Sequence, residues 1–251
     1  IERENGIAVV EAPTGVGKSF GYLVPALLSA REHGKKLLIA TATVALQRQV
    51  LDDLPSLRSA SGLDLRIHLV KGRGRYVCDR NLRMLSGLDP DQARLDFGGD
   101  MESPGDWPFP PTAGERASLA SMLDARTAKA WDGDLDTWSG EDPGARLRGI
   151  VTTGAAGCAG HRCPFVSRCP SMTSKAETWK ADVLVANLHV LLSDLALGGG
   201  ALLPDLEDCV LVIDEAHHLP DTAVSAFAGW LSLADHGRRV KSVEKAMAAA
   251  V

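Results

Sequence analysis

No apolar stretch in the 251 residues approaches the roughly 18 that a membrane-spanning helix requires. Nor is there a basic-then-apolar leader ending in a small-residue cleavage site, so the cytoplasm is the expected compartment. A strong positive charge is also missing. The formal charge is −5, which removes any argument for nucleic-acid binding from overall charge. The first residue is Ile1 rather than Met, and Lys245 to Val251 stops inside a helical pattern, so a fragment of a longer chain is expected. There is no internal repeat. Hydrophobic residues at 45% and charged residues at 24% are ordinary globular values, which argues against disorder, collagen-like repetition and coiled coil.

Charge is distributed unevenly along the chain. Between residues 66 and 83, Arg66, Lys71, Arg73, Arg75, Arg80 and Arg83 face Asp79 alone, while residues 89 to 142 are strongly acidic. Residues 146 to 180 are basic again. Two basic stretches thus bracket an acidic one, and both contain cysteines.

Short unbroken apolar runs at Ile7–Val10, Lys36–Ala40, Leu65–Val70, Asp182–Ala186 and Cys209–Ile213 read as strands covered on both faces. Helical spacing follows two of them. From Lys18 it runs through Phe20, Leu23, Val24, Leu27 and Leu28, with Pro25 as the one defect, and Val44–Leu54 repeats it, ending before Pro55. Ala223–Trp230 and Val240–Val251 also read as helices. Alternating strand and helix gives an α/β layer with a parallel sheet. The interval from about Lys71 to Lys180 is different. It holds four of the five cysteines and exceeds any simple loop, so it reads as an inserted subdomain with its own stabilising device.

Ala12-Pro-Thr-Gly-Val-Gly-Lys-Ser19 fits the phosphate-binding loop pattern between a strand and a helix, with Ala in place of the first Gly. Thr14, Gly15, Val16 and Gly17 would turn backbone N–H groups toward phosphate oxygens. Lys18 would bridge the β- and γ-phosphates, and Ser19 would ligate Mg²⁺. Val210-Leu-Val-Ile-Asp-Glu-Ala-His217 supplies the two carboxylates that a nucleoside triphosphatase needs. Asp214 would reach Mg²⁺ and Glu215 would position and deprotonate the attacking water. His217 is the better candidate of the two adjacent histidines to couple this site to something that moves.

Cys78, Cys158, Cys163 and Cys169 are a metal-ligand constellation. Their spacing and the Pro after Cys163 and Cys169 leave open an iron-sulfur cluster, a zinc site and unligated thiols. His161 is a further possible ligand, with solvated surface as its ordinary reading. Cys209, inside an apolar run, reads as a small buried hydrophobe.

Taken in order, Glu11-Ala-Pro-Thr-Gly-Val-Gly-Lys-Ser19, Thr41-Ala-Thr-Val-Ala-Leu-Gln47, Lys71-Gly-Arg-Gly-Arg-Tyr-Val-Cys78, Gly133-Asp-Leu-Asp-Thr137, the cysteine trio and Asp214-Glu-Ala-His217 resemble the DinG branch of the XPD-like iron-sulfur helicases of superfamily 2. The resemblance covers nearly the whole chain. It implies a RecA-like motor domain in two parts, residues 1–70 and 181–221, interrupted by an iron-sulfur insertion at 71–180, with the start of a helical arch domain at 222–251. It also implies ATP and Mg²⁺ as ligands, and a [4Fe-4S] cluster on Cys78, Cys158, Cys163 and Cys169. The family moves 5′ to 3′ on single-stranded DNA and opens duplexes and R-loops in repair and replication. Thr41, Thr43 and Gln47 fall in its strand-contacting motif, and Arg73, Arg75 and Tyr76 lie beside the first cysteine where they would grip phosphates and stack a base, with a surface loop and a buried Tyr as the alternative reading of those three. A monomer is expected. The alternative is a non-motor P-loop module, DNA-binding or regulatory, with a structural zinc. One departure stands out: the family has His directly after the Asn at position 187, whereas here Leu188 intervenes before His189.

Overall fold

A computed structural model describes residues 6–13, 17–87, 111–154 and 157–228. Four parallel strands, β1 (Lys36–Thr41), β2 (Ile67–Leu69), β3 (Val183–Asn187) and β4 (Cys209–Ile213), form one sheet in the order β2-β3-β1-β4. β1 pairs with β3 from Leu37↔Val183 to Thr41↔Asn187 and with β4 from Lys36↔Cys209 to Ala40↔Ile213.

The unbroken apolar runs are explained by burial on both faces. Side chains alternate along a strand. Leu37, Ile39, Val183 and Val185 therefore join one core with α1 (Lys18–Glu32) and α2 (Val44–Ser61), which contribute Leu23, Leu27, Val50 and Leu54. Leu38, Ala40, Leu184 and Ala186 face the other way and pack with α7 (Leu188–Ala196) through Leu188 and Leu191. The acidic-to-basic interval builds a third cluster of its own. Val77, Leu82, Leu119, Met122, Trp131, Leu147 and Val151 come together from α3 (Asp79–Leu85), α4 (Ala113–Thr127), α5 (Gly144–Val151) and the loops between them. α6 (Pro170–Lys180) returns the chain to the sheet, and α8 (Leu219–Phe227) follows β4.

Local chemistry sets the helix starts. Thr43 accepts from Leu46 N–H at 3.2 Å to begin α2, and Asn187 accepts from Val190 N–H at 2.8 Å to begin α7. Thr112 and Glu115 form a reciprocal capping box at α4. Gly133 has φ +90°, and a Cβ there would collide with the Pro170 ring, so the insertion needs glycine at this close approach.

Several expectations are corrected. Ile7–Val10 is not a strand: Ile7 and Val9 are each 92% exposed and pair with no strand among the described residues. An apolar run states a need for burial, but a strand forms only against a neighbouring edge. α2 does not end before Pro55. It continues to Ser61, because Leu54 and Leu57 hold the helix to the core on both sides of the proline. The third strand shortens to Ile67–Leu69, and the helix expected at Ala223 begins at Leu219. Val240–Val251, and the residues of 222–251 beyond 228, lie outside the described residues.

The insertion is bolted together by a buried ion pair. Arg126 Nε and Nη2 donate to the Asp79 carboxylate at 2.9 and 3.0 Å, while Nη1 and Nη2 also reach the Trp131 and Arg168 carbonyls. Removing Arg126 would leave the buried Asp79 carboxylate facing only the half-exposed Arg168, whose Nε lies 3.7 Å away. Arg126→Ala is therefore expected to cost about 3–5 kcal/mol in urea denaturation of the insertion. A loss under about 1 kcal/mol would show the pair to be solvated and weak.

Candidate functional site

Asp214 and Glu215 lie just beyond the carboxyl end of β4, on the edge at which open parallel sheets bind ligands. At one end of that edge, α1 and β4 bring three side chains together. Lys18 is the first residue of α1, whose N-cap Gly17 takes φ +79°. Asp214 and Glu215 follow β4 directly. The Asp214 amide is fixed by donation to the Ala40 carbonyl at 2.9 Å, and its side chain is buried. The Lys18 ammonium donates to Glu215 Oε1 and lies 3.4 Å from Asp214 Oδ1.

The electrostatics agree with this geometry. The hydrogen bond from Lys18 holds the Glu215 carboxyl below its ordinary range, and the same bond, helped by Asp214 and opposed by burial, raises Lys18. Glu215 has φ +55°, a left-handed backbone that is uncommon for a residue with a Cβ and a feature that concentrates at functional sites. His217 Nδ1 sits 3.3 Å from Glu215 Oε2, and its ring stacks on His218 at 4.1 Å between centroids. Thr14, Gly15 and Val16 lie outside the described residues. Sequence reasoning missed Tyr22. Its hydroxyl is buried close to Ser19 and Asp214, and burial followed by the Asp214 charge raises the phenol, with Ser19 opposing. Its spacing four residues from Lys18, on the same face of α1, was the signal available.

Further along the edge, over β1, β3 and β2, is a cleft of about 90 Å³ lined by Gln47 and Arg48 of α2, Lys71, Gly72 and Arg75 after β2, Asn187 at the end of β3, and Asp136 from the insertion. Of the residues expected to touch a strand, Gln47 and Arg75 line this cleft. Arg73 is half-buried in a short 3₁₀ turn, Arg73–Arg75. Three others have structural duties. Thr41 is fully buried with its hydroxyl on the Thr43 carbonyl, Thr43 caps α2, and the Tyr76 ring is 7% exposed with its hydroxyl donating to Ser174 at 2.7 Å. No base can stack on Tyr76 in that position. Burial raises its phenol, with Ser174 opposing. Sequence reasoning also missed Lys71, Asp134 and Asp136, which form one ion cluster with Arg75.

The four cysteines Cys78, Cys158, Cys163 and Cys169 are free and half-buried. Cys78 precedes α3 and Cys169 precedes α6, and the Gly160 N–H donates to Cys158 Sγ at 3.4 Å. Burial pushes the Cys78 thiol up and neighbouring Cys163 adds to this, while the Arg80 and Asn81 amides oppose it. Thiols backed by N–H donors have the chemistry to ligate a metal cluster. Among the described residues, no group of three or more His, Cys, Asp or Glu side chains is gathered closely enough to hold a metal ion. His161 is exposed and so is His189; Leu188, the intervening residue, is fully buried in the core. Cys209 is a buried strand residue whose thiol burial pushes up to about 11.

Comparison with known proteins gives matches to two family models. Residues 2–88 match the family model of the DEAD/DEAH box helicase, and residues 161–233 match that of DEAD_2. The chain carries DEAD/DEAH box helicase and DEAD_2 domains. It is 38% identical over 221 residues to proteins named ATP-dependent DNA helicase DinG from Salmonella typhimurium and Escherichia coli (strain K12), covering 86% of this chain and 29% of each relative. Against the protein of that name from Photobacterium profundum the figures are 36% over 222 residues, 88% and 30%. The chain thus spans less than a third of the length of these relatives. The helicase match spans residues 12–19, and the DEAD_2 match contains Asp214, Glu215, Cys163 and Cys169. No helix among the described residues is long and apolar enough to cross a membrane.

Proposed function

We propose that the chain is the ATP-binding part of a DNA helicase that hydrolyses ATP to move 5′ to 3′ along single-stranded DNA, opening duplexes or R-loops in repair and replication. It acts as a monomer in the cytoplasm. The observation that carries this reading is the convergence of Lys18 with Asp214 and Glu215 at one point of the sheet edge. The names of the relatives point the same way.

In this reading the resting Lys18 neutralises the catalytic carboxylate. The phosphates of ATP compete for the ammonium, and Glu215 is freed to accept a proton from water as the water oxygen bonds to the γ-phosphorus. The bond from that phosphorus to the β,γ-bridging oxygen breaks, leaving ADP and phosphate. Asp214 and Ser19 would hold Mg²⁺, which supplies charge neutralisation at the phosphates. Gln47, Arg73 and Arg75 would meet the DNA backbone. Cys78, Cys158, Cys163 and Cys169 would hold a [4Fe-4S] cluster, whose ligation contributes folding free energy to residues 71–180.

The test is unwinding by the full-length protein of partial duplexes carrying a 5′ or a 3′ single-stranded tail. ATP-dependent opening of the 5′-tailed substrate alone is expected. Opening of only the 3′-tailed substrate would overturn the polarity, and no opening of either would overturn the motor reading.

A further inference from the structure

The cleft over β1, β3 and β2 has the properties of an anion site, and one of its own carboxylates sits in it. Its volume of about 90 Å³ admits several waters or a single phosphate group. Arg48 makes no ion pair among the described residues, and the first turn of the 18-residue helix α2 adds partial positive charge. Gln47, 4% exposed, lines the cleft.

The group now filling the anion's place is Asp136. Its carboxylate accepts from Arg75 Nε at 3.2 Å and from Arg75 Nη2, and Lys71 Nζ lies 2.9 Å away. Asp136 reaches this position on a tight turn built by carboxylates. The Asp136 N–H donates to Asp134 Oδ1 at 3.0 Å, the Asp134 N–H to Asp132 Oδ1 at 2.9 Å, and the Thr137 N–H to the Asp134 carbonyl at 3.1 Å.

Two facts make Asp136 replaceable. The Arg75 side chain is 44% exposed, and an ion pair so open to water contributes little. Lys71 is also held by Asp134, so withdrawal of Asp136 leaves no buried ammonium unpaired. Asp134 and Asp136 are like charges on one lysine, which favours release of one of them.

We propose that Asp136 is an ionic latch: it occupies Arg75 and Lys71 when no strand is bound, and a backbone phosphate of single-stranded DNA displaces it, freeing the Asp132–Thr137 turn from the sheet edge. The latch rests on the strand-binding reading given above and adds a consequence to it. Strand binding at the sheet loosens the insertion, so occupancy of one is reported to the other.

The test uses full-length protein, oligo-dT and fluorescence anisotropy across a range of NaCl. Asp136→Asn removes the competitor, so it is expected to bind about three- to fivefold tighter at low salt, the scale of one half-exposed ion pair. The dependence of log affinity on log salt should steepen by about 0.7, one phosphate contact on a single strand. Hydrogen exchange on the wild-type protein supplies an independent readout: the amides of Asp134, Asp136 and Thr137 should exchange faster with oligo-dT bound. A purely structural Asp136 predicts the reverse, weaker binding by the variant and unchanged or slower exchange, and that result overturns the latch. Arg48→Ala separates the two levels of the argument. If it weakens binding while the latch results fail, the strand site stands without the latch; if it too leaves binding unchanged, both fall.

Discussion

Lys18→Ala in the full-length protein is expected to reduce DNA-stimulated ATP turnover by at least about two to three orders of magnitude, the cost of removing a charge aimed at developing phosphate charge. Nucleotide binding should weaken too, because Lys18 is, among the described residues, the one ammonium placed against Asp214 and Glu215. Glu215→Gln separates binding from chemistry. It keeps the shape and the hydrogen-bonding reach but cannot take a proton, so turnover should fall by about 10²–10⁴ with nucleotide affinity retained or raised. Steady-state phosphate release together with equilibrium binding of a fluorescent nucleotide would measure both. Unchanged turnover in Lys18→Ala would sink the phosphate-loop assignment, and near-normal turnover in Glu215→Gln would move the base elsewhere. Neither change should alter the visible spectrum of a cluster bound to the cysteines.

The second large effect is expected at Cys163. A Cys163→Ser protein should lose its metal and lose cooperative folding of residues 71–180, since ligation of this kind is itself folding free energy. The readouts are iron, sulfide and zinc analysis, the visible absorption spectrum and hydrogen exchange. In the wild type about four irons and four sulfides are expected, the content of a cubane cluster held by four thiolates. In the variant, exchange should rise at Val77, Leu82 and Leu119, whose cluster is separate from the two that flank the sheet, and stay low at Ile39 and Val185. A full metal complement in Cys163→Ser would show that Cys163 is not a ligand. One zinc and no iron in the wild type would favour the structural-zinc module.

Much of the sheet was legible because its signal is local. Lys36–Ala40, Asp182–Ala186 and Cys209–Ile213 are short apolar runs, the first two buried on both faces and the third half-buried, and each appears within a residue of its expected limits. The Asp-Glu pair was legible because its position just after β4 is a matter of adjacency. What was not legible depends on contacts made across the chain. Ile7–Val10 carries the same apolar signal as β1, yet no local pattern says whether an edge is present to receive it. Lys71 meets Asp134 across 63 positions and Arg126 meets Asp79 across 47, and no periodicity relates residues at such separations. Tyr76 looked available for stacking beside two arginines. Its burial against α6 through Ser174 follows from where the insertion rejoins the sheet. Leu188 shows the opposite case, an apparent insertion between Asn187 and the histidine that turns out to supply a fully buried core side chain.

β4 has β1 on one side and, among the described residues, no strand on the other. Val210 to Ile213 along it are apolar and only half-buried. An open edge of this kind offers a ladder of amide and carbonyl groups to any extended segment that comes near. Residues 1–251 handled apart from the rest of a longer protein would therefore be sticky in a directional way. Among the described residues this edge is the place where a further strand, from this chain or another, would add to the sheet.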